Sequence, residues 1–116
     1  MTHAQTQIET FFQNRSFAVV GHTAAKNFPI LTYQGLKKLG KTVFPVDPSV
    51  DEVAGDKTFA DLETLPSPVD AVVLEVPKEE TKDWVARAGT CAVMYVTPGF
   101  SIHAIHKWIM KMLGRF

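Results

Sequence analysis

The sequence predicts an α/β protein in three layers, with a parallel sheet of four strands between helices. Two observations carry this. The apolar runs Phe17–Gly21 and Asp70–Val76 are almost unbroken, which suits strands covered on both faces. Glycines and prolines then cut the chain into alternating strand-like and helix-like segments. That alternation builds right-handed crossovers and a parallel sheet.

In chain order, Ile8, Phe11 and Phe12 stand at helical spacing and predict a short amphipathic helix over residues 3–14. Phe17–Gly21 is the first strand. Ile30, Leu31, Leu36 and Leu39 mark a helix over residues 29–39, with Pro29 in its first turn, where a missing N–H costs nothing, and Gly40 as its stop. Thr42–Val46 is the second strand, ended by the two prolines of Pro45-Val-Asp-Pro48. Residues 49–68 read as loop and short helix, with Phe59, Leu62 and Leu65 buried. Asp70–Val76 is the third strand and Pro77 stops it. Lys78–Ala88 is a helix with Trp84, Val85 and Ala88 facing inward, closed by Gly89. Cys91–Val96 is the fourth strand, Thr97-Pro-Gly99 a turn, and Ser101–Leu113 a last helix that Ser101 can cap. Ile102, Ile105, Ile109, Met112 and Leu113 form its apolar stripe.

The 116 residues, 46% of them hydrophobic, read as one domain with a real core, opened by the short helix. A formal net charge of zero argues against a general nucleic-acid binder. Cys91, the single cysteine, excludes an intrachain disulfide framework and fits a reducing, cytoplasmic compartment. No apolar run approaches the roughly 20 residues that span a bilayer. Met1-Thr-His-Ala-Gln has neither the basic nor the apolar region of a secretory signal.

The stretch richest in chemical information is Phe17-Ala-Val-Val-Gly-His-Thr-Ala-Ala-Lys26. A strand runs into a glycine, a polar loop with a lysine, and a helix. Gly21 lets backbone approach an anion, and a helix N-terminus offers unpaired N–H groups and partial positive charge. This points to a phosphate-bearing, nucleotide-type ligand. Neither the Walker-type phosphate loop nor the Gly-x-Gly-x-x-Gly dinucleotide fingerprint occurs. Ligands of parallel sheets bind at the carboxyl ends of strands, which here are Gly21–Lys26, Asp47–Pro48, Val76–Pro77 and Thr97–Gly99.

Several side chains carry two readings. Asp47 stands where a dinucleotide fold contacts a ribose 2′-hydroxyl, and equally where an acid makes an Asx turn before Pro48. His22 is a possible anion donor or a solvated loop histidine. His103 and His106 could share a helix face but lack further metal ligands, so no metal site is assigned. Cys91 reads as a small buried hydrophobe, Trp84 and Trp108 as packing residues, and Glu79 with Glu80 as a solvated first turn. No catalytic cluster is visible.

Five blocks together resemble one family: Val19-Val-Gly-His-Thr23 with Lys26, Val43-Phe-Pro-Val-Asp-Pro48, Gly55, Leu65-Pro-Ser-Pro-Val-Asp70, and Tyr95-Val-Thr-Pro-Gly99. In order and spacing they are similar to the small bacterial and archaeal CoA-binding proteins. These are single Rossmann-like domains akin to the N-terminal domain of the succinyl-CoA synthetase α-subunit. The resemblance implies that Gly21, His22 and Thr23 cradle the pyrophosphate of coenzyme A with Lys26 close by. It implies that Pro45, Val46 and Asp47 border the adenosine end, Val76 and Pro77 the adenine side, and Thr97, Pro98 and Gly99 the pantetheine path. The chain departs from the family at Pro29, where glycine is usual, and it stops at Leu113-Gly-Arg-Phe116, short of the family's fifth strand. The expected function is coenzyme A or acyl-CoA binding without catalysis. One alternative is an NAD(P)-binding enzyme or redox regulator, for which Asp47 is the one positive feature. Another is a ligand-free interaction domain, dimerising through the apolar last helix.

Overall fold

The computed structural model describes residues 10–24 and 28–95. The predicted helix Ser101–Leu113 and residues 3–9 of the predicted first helix lie outside these residues. Of the rest of that first helix, Thr10 and Phe11 are helical, and the chain turns out of the helix at Phe12 and Gln13. The elements in order are β1 (Ser16–Gly21), α1 (Ile30–Lys38), β2 (Thr42–Val46), β3 (Glu52–Val53), β4 (Asp56–Lys57), β5 (Ala71–Glu75), a 3₁₀ turn (Lys78–Glu80), α2 (Thr81–Ala88) and β6 (Ala92–Tyr95).

Four strands pair in the order β2-β1-β5-β6, all parallel. β1 and β5 are central, and every residue of β5 is buried. Their alternating side chains divide into two cores. Phe17, Val19, Ala71 and Val73 face Tyr33 and Leu36 of α1, together with Phe11 and Phe12. Ala18, Val20, Val72 and Leu74 face Trp84 and Ala88 of α2. The unbroken apolar runs thus mean what they predicted: two covered faces and three layers. Each fully buried Val, Leu or Phe contributes about 1.5–3 kcal/mol over its exposed state.

β1 connects leftward to β2 through α1, while β5 connects rightward to β6 through α2. Because the two crossovers run in opposite directions, their helices cover opposite faces. The sense in which the winding steps across the sheet therefore reverses between β1 and β5, while the strands stay parallel.

β2 is a sheet edge, and its carboxyl half is covered. Phe59 N–H donates to the Pro45 carbonyl at 3.0 Å, and Asp47 N–H donates to the Phe59 carbonyl at 2.9 Å. The Pro45 carbonyl therefore points away from β1, so its missing N–H costs the β1–β2 ladder nothing.

Four sequence expectations need correction. Residues 49–68, read as loop and short helix, contain the hairpin β3–β4, with Glu52 opposite Lys57 and Val53 opposite Asp56. Its two turn residues, Ala54 and Gly55, have φ of 52° and 83°, the backbone of a two-residue type I′ turn. Tyr33 Oη donates to the Asp56 carboxylate and Lys37 pairs with it at 2.8 Å, which docks the hairpin on α1. The segment Lys78–Ala88 is a 3₁₀ turn followed by a helix rather than one helix. Val85 is 44% exposed, while Trp84 and Ala88 are buried as expected. Finally, Pro29 precedes α1 as its N-cap and does not sit in its first turn. Phe59, Leu62 and Leu65 are half-buried against the α2-side core.

Candidate functional site

Parallel pairing brings the carboxyl ends of β1, β2, β5 and β6 to one rim. Val20 lies opposite Val46, Gly21 opposite Glu75, and Leu74 opposite Tyr95. The winding reverses between β1 and β5, and it is outside the carboxyl ends of strands at such a switch point that ligands of open α/β sheets bind.

Gly21 ends β1 under the start of α1. A Cβ at this position would come within 2.7 Å of Phe28 Cδ1 and 2.8 Å of Pro29 Cδ. Only glycine lets residues 28 and 29 pass so closely over the strand end. The close approach of this glycine is to its own chain.

The turn after Gly21 is tied to the loop after β2. Asp47, 1% exposed, accepts four hydrogen bonds. Oδ2 takes the Thr23 N–H at 2.8 Å and the Thr23 hydroxyl at 2.5 Å. Oδ1 takes the Ser49 N–H at 2.8 Å and the Ser49 hydroxyl at 2.6 Å. Ser49 Oγ in turn accepts the Ala24 N–H at 3.0 Å. Burial alone would push the Asp47 carboxyl upward, but the donors from Ser49 and Thr23 outweigh it and hold it below its ordinary value.

A carboxylate offers about four lone-pair directions, and all four of Asp47's are in use. Of the two sequence readings of Asp47, the Asx turn is the one formed. A ribose 2′-hydroxyl finds no free lone pair there, so this residue gives the NAD alternative no support. The Thr23 amide and hydroxyl, expected to cradle a pyrophosphate, face Asp47.

His22 is held by a residue that follows β5. Its Nδ1 lies 2.5 Å from Glu80 Oε2, and both side chains are about 30% exposed. Glu80 Oε1 is 3.4 Å from Trp84 Nε1. Glu80 is therefore a partnered side chain at the rim, not the solvated acid that the sequence suggests. Glu79 is exposed.

The remaining predicted residues divide by burial. Pro45, Val46 and Val76 are buried and frame the rim from below, and Pro77 is half-buried at the start of the 3₁₀ turn. Lys26, Thr97, Pro98 and Gly99 lie outside the described residues. Sequence reasoning missed Ser49, Glu75 and Thr32. Thr32 Oγ1 donates to Glu75 Oε1 at 2.9 Å, a buried contact joining α1 to the end of β5. The signals were present. Asp47-Pro-Ser49 is an Asx-turn spacing, and Glu75 is a lone acid closing an apolar strand. Among the described residues, no three His, Cys, Asp or Glu side chains are grouped to hold a metal, and no helix is long and apolar enough to cross a membrane.

A doubly wound parallel sheet with a tied βα turn at its switch point defines a Rossmann-like domain. A family model for the CoA binding domain matches residues 15–111, and the chain belongs to that family. It is 29% identical to the acetate–CoA ligase (ADP-forming) II subunit alpha of Pyrococcus furiosus, over 92% of this chain and 27% of that protein. The crystal structure of Prb, a protein redesigned for binding, superposes with a TM-score of 0.69 at 21% identity, covering 94% of this chain and 81% of that one. The dinucleotide-forming acetyl-coenzyme A synthetase 1 of Ca. Korarchaeum cryptofilum, in complex with phosphate and ADP, superposes with a TM-score of 0.61 at 23% identity, covering 92% and 25%. The chain spans about a quarter of the length of these two enzymes.

Proposed function

We propose that this chain binds coenzyme A, or an acyl-CoA, at the rim and contributes no chemistry of its own. One observation carries the reading: the CoA binding domain match runs through all four sheet strands whose carboxyl ends form the rim. The local geometry fits such a ligand. The ionised Asp47 carboxylate has all four of its lone pairs taken by internal donors, so its oxygens face protein rather than the ligand.

In this reading His22 and Lys26 meet the diphosphate, close to Gly21. Thr23 and Asp47 fix the shape of the turn. Pro45 and Val46 support the adenosine end, and Val76 and Pro77 the adenine side. Thr97, Pro98 and Gly99 border the pantetheine arm. The compartment is cytoplasmic, and the apolar stripe of residues 101–113 is the proposed surface for a homodimer.

Thermal denaturation with coenzyme A, dephospho-CoA and NAD tests the reading. Ligand at a hundred times its Kd stabilises a folded protein by about 2.7 kcal/mol, several degrees for a domain of this size. Coenzyme A is expected to raise Tm more than NAD does. An unchanged Tm at millimolar coenzyme A overturns the proposal.

A further inference from the structure

The exits of β1 and β5 are bridged by His22 and Glu80, side chains 58 positions apart that come together at 2.5 Å. His22 directly follows the last residue of β1, and Glu80 closes the 3₁₀ turn after β5. We propose that this pair is a latch over the diphosphate position, which an incoming ligand opens by taking His22 from Glu80. This rests on the coenzyme A reading above.

The argument is one of competition between anions. Glu80 and a diphosphate both seek the same imidazole, and they repel each other across the same short gap. Both latch side chains are part-exposed, so a ligand can reach the contact without unfolding the rim. The two acids beside the turn are also held very differently. Asp47 is buried under four donors and cannot leave. Glu80 sits on a three-residue turn, its amide bonded to the Pro77 carbonyl at 2.9 Å and its carboxylate steadied by Trp84 only at 3.4 Å. A bond that long is weak. Apart from His22, Glu80 is thus the less firmly held acid and Asp47 the more firmly held one. In the open state Glu80 swings toward solvent and His22 turns to the phosphates. Ligands without a phosphate that can displace Glu80 leave the latch shut, so the pair also discriminates.

Isothermal titration of the full chain with coenzyme A tests this on wild type, Glu80→Gln and His22→Ala, with far-UV circular dichroism confirming the fold of each. Glu80→Gln keeps the shape and the Trp84 contact but removes the charge. It is expected to bind three- to ten-fold more tightly than wild type, whereas His22→Ala binds no more tightly. A pair that merely staples the rim together would weaken binding in both variants, and that result overturns the latch. Wild-type binding with an unchanged Glu80→Gln affinity also overturns the latch and leaves the coenzyme A reading standing. No heat with any of the three proteins overturns both. Should Glu80→Gln fail to fold, NMR of wild type decides: saturating coenzyme A must shift the His22 ring resonances, and unmoved resonances overturn the latch.

Discussion

Thr23 and Asp47 meet twice on one oxygen, with the Thr23 amide at 2.8 Å and its hydroxyl at 2.5 Å from Asp47 Oδ2. The contact ties the exit of β1 to the exit of β2 and gives the rim a fixed corner. It also explains why a buried acid is tolerated at 1% exposure: each lone pair has a donor.

Replacing Asp47 by Ala strands those donors. Urea denaturation at neutral pH is expected to show a loss of about 2–3 kcal/mol, since hydrogen bonds to a charged group are worth about 1.5–3 kcal/mol each and water replaces part of them. The effect depends on pH. The folded-state value of Asp47 lies below its ordinary 3.8, so its contribution is complete above pH 3.8 and fades as pH falls through the folded-state value. Wild type should therefore lose stability more steeply than D47A below that pH, and equal acid limbs would refute the assignment.

Gly21→Ala forces a methyl into the 2.7 Å and 2.8 Å approaches of Phe28 and Pro29. Overpacking of this kind costs about 1–3 kcal/mol. Chemical denaturation should register that loss, together with weaker coenzyme A binding, because the displaced segment leads into α1.

Adjacent residues on α2 are expected to behave oppositely. Trp84 is 3% exposed, and Trp84→Ala should cost about 3–5 kcal/mol. Val85 faces water, so Val85→Lys should stay within about 0.5 kcal/mol of wild type. A large loss from the lysine variant would contradict the helix orientation.

Ala54 holds φ of 52° in the β3–β4 turn, a backbone that alanine adopts at a cost and asparagine more easily. Ala54→Asn completes the Asn-Gly pair favoured in type I′ turns and should stabilise the protein by about 0.5–1 kcal/mol. A fall in Tm would count against the turn assignment.

The sheet was legible because β1 and β5 are buried on both faces, and such strands have no choice but to be apolar throughout. Gly40 and Gly89, at φ of 79° and 61°, mark the ends of α1 and α2 as their positions suggested. The β3–β4 hairpin escaped because two-residue strands are too short for any periodicity, and Ala54-Gly55 is not among the strong turn pairs. Val85 was misassigned because the 3₁₀ turn at Lys78–Glu80 changes the phase in which α2 begins. At the rim, the structure sets Thr23 against Asp47 and His22 against Glu80. The sequence could not tell whether Thr23 and Asp47 would face a ligand or each other, because that depends on a contact across 24 positions. The His22–Glu80 bridge was hidden for the same reason.

The small parallel contact between Phe59 and the outer side of β2 decides how copies of this domain can associate. A strand arriving from another molecule meets a Pro45 with no N–H, a Pro45 carbonyl already bonded, and an Asp47 amide already given away. Along that half of the border, the ribbon cannot be lengthened by a neighbour, which blocks the edge-to-edge growth that leads to fibrils. Assembly through that half of the border must be built from side chains rather than from a continued sheet.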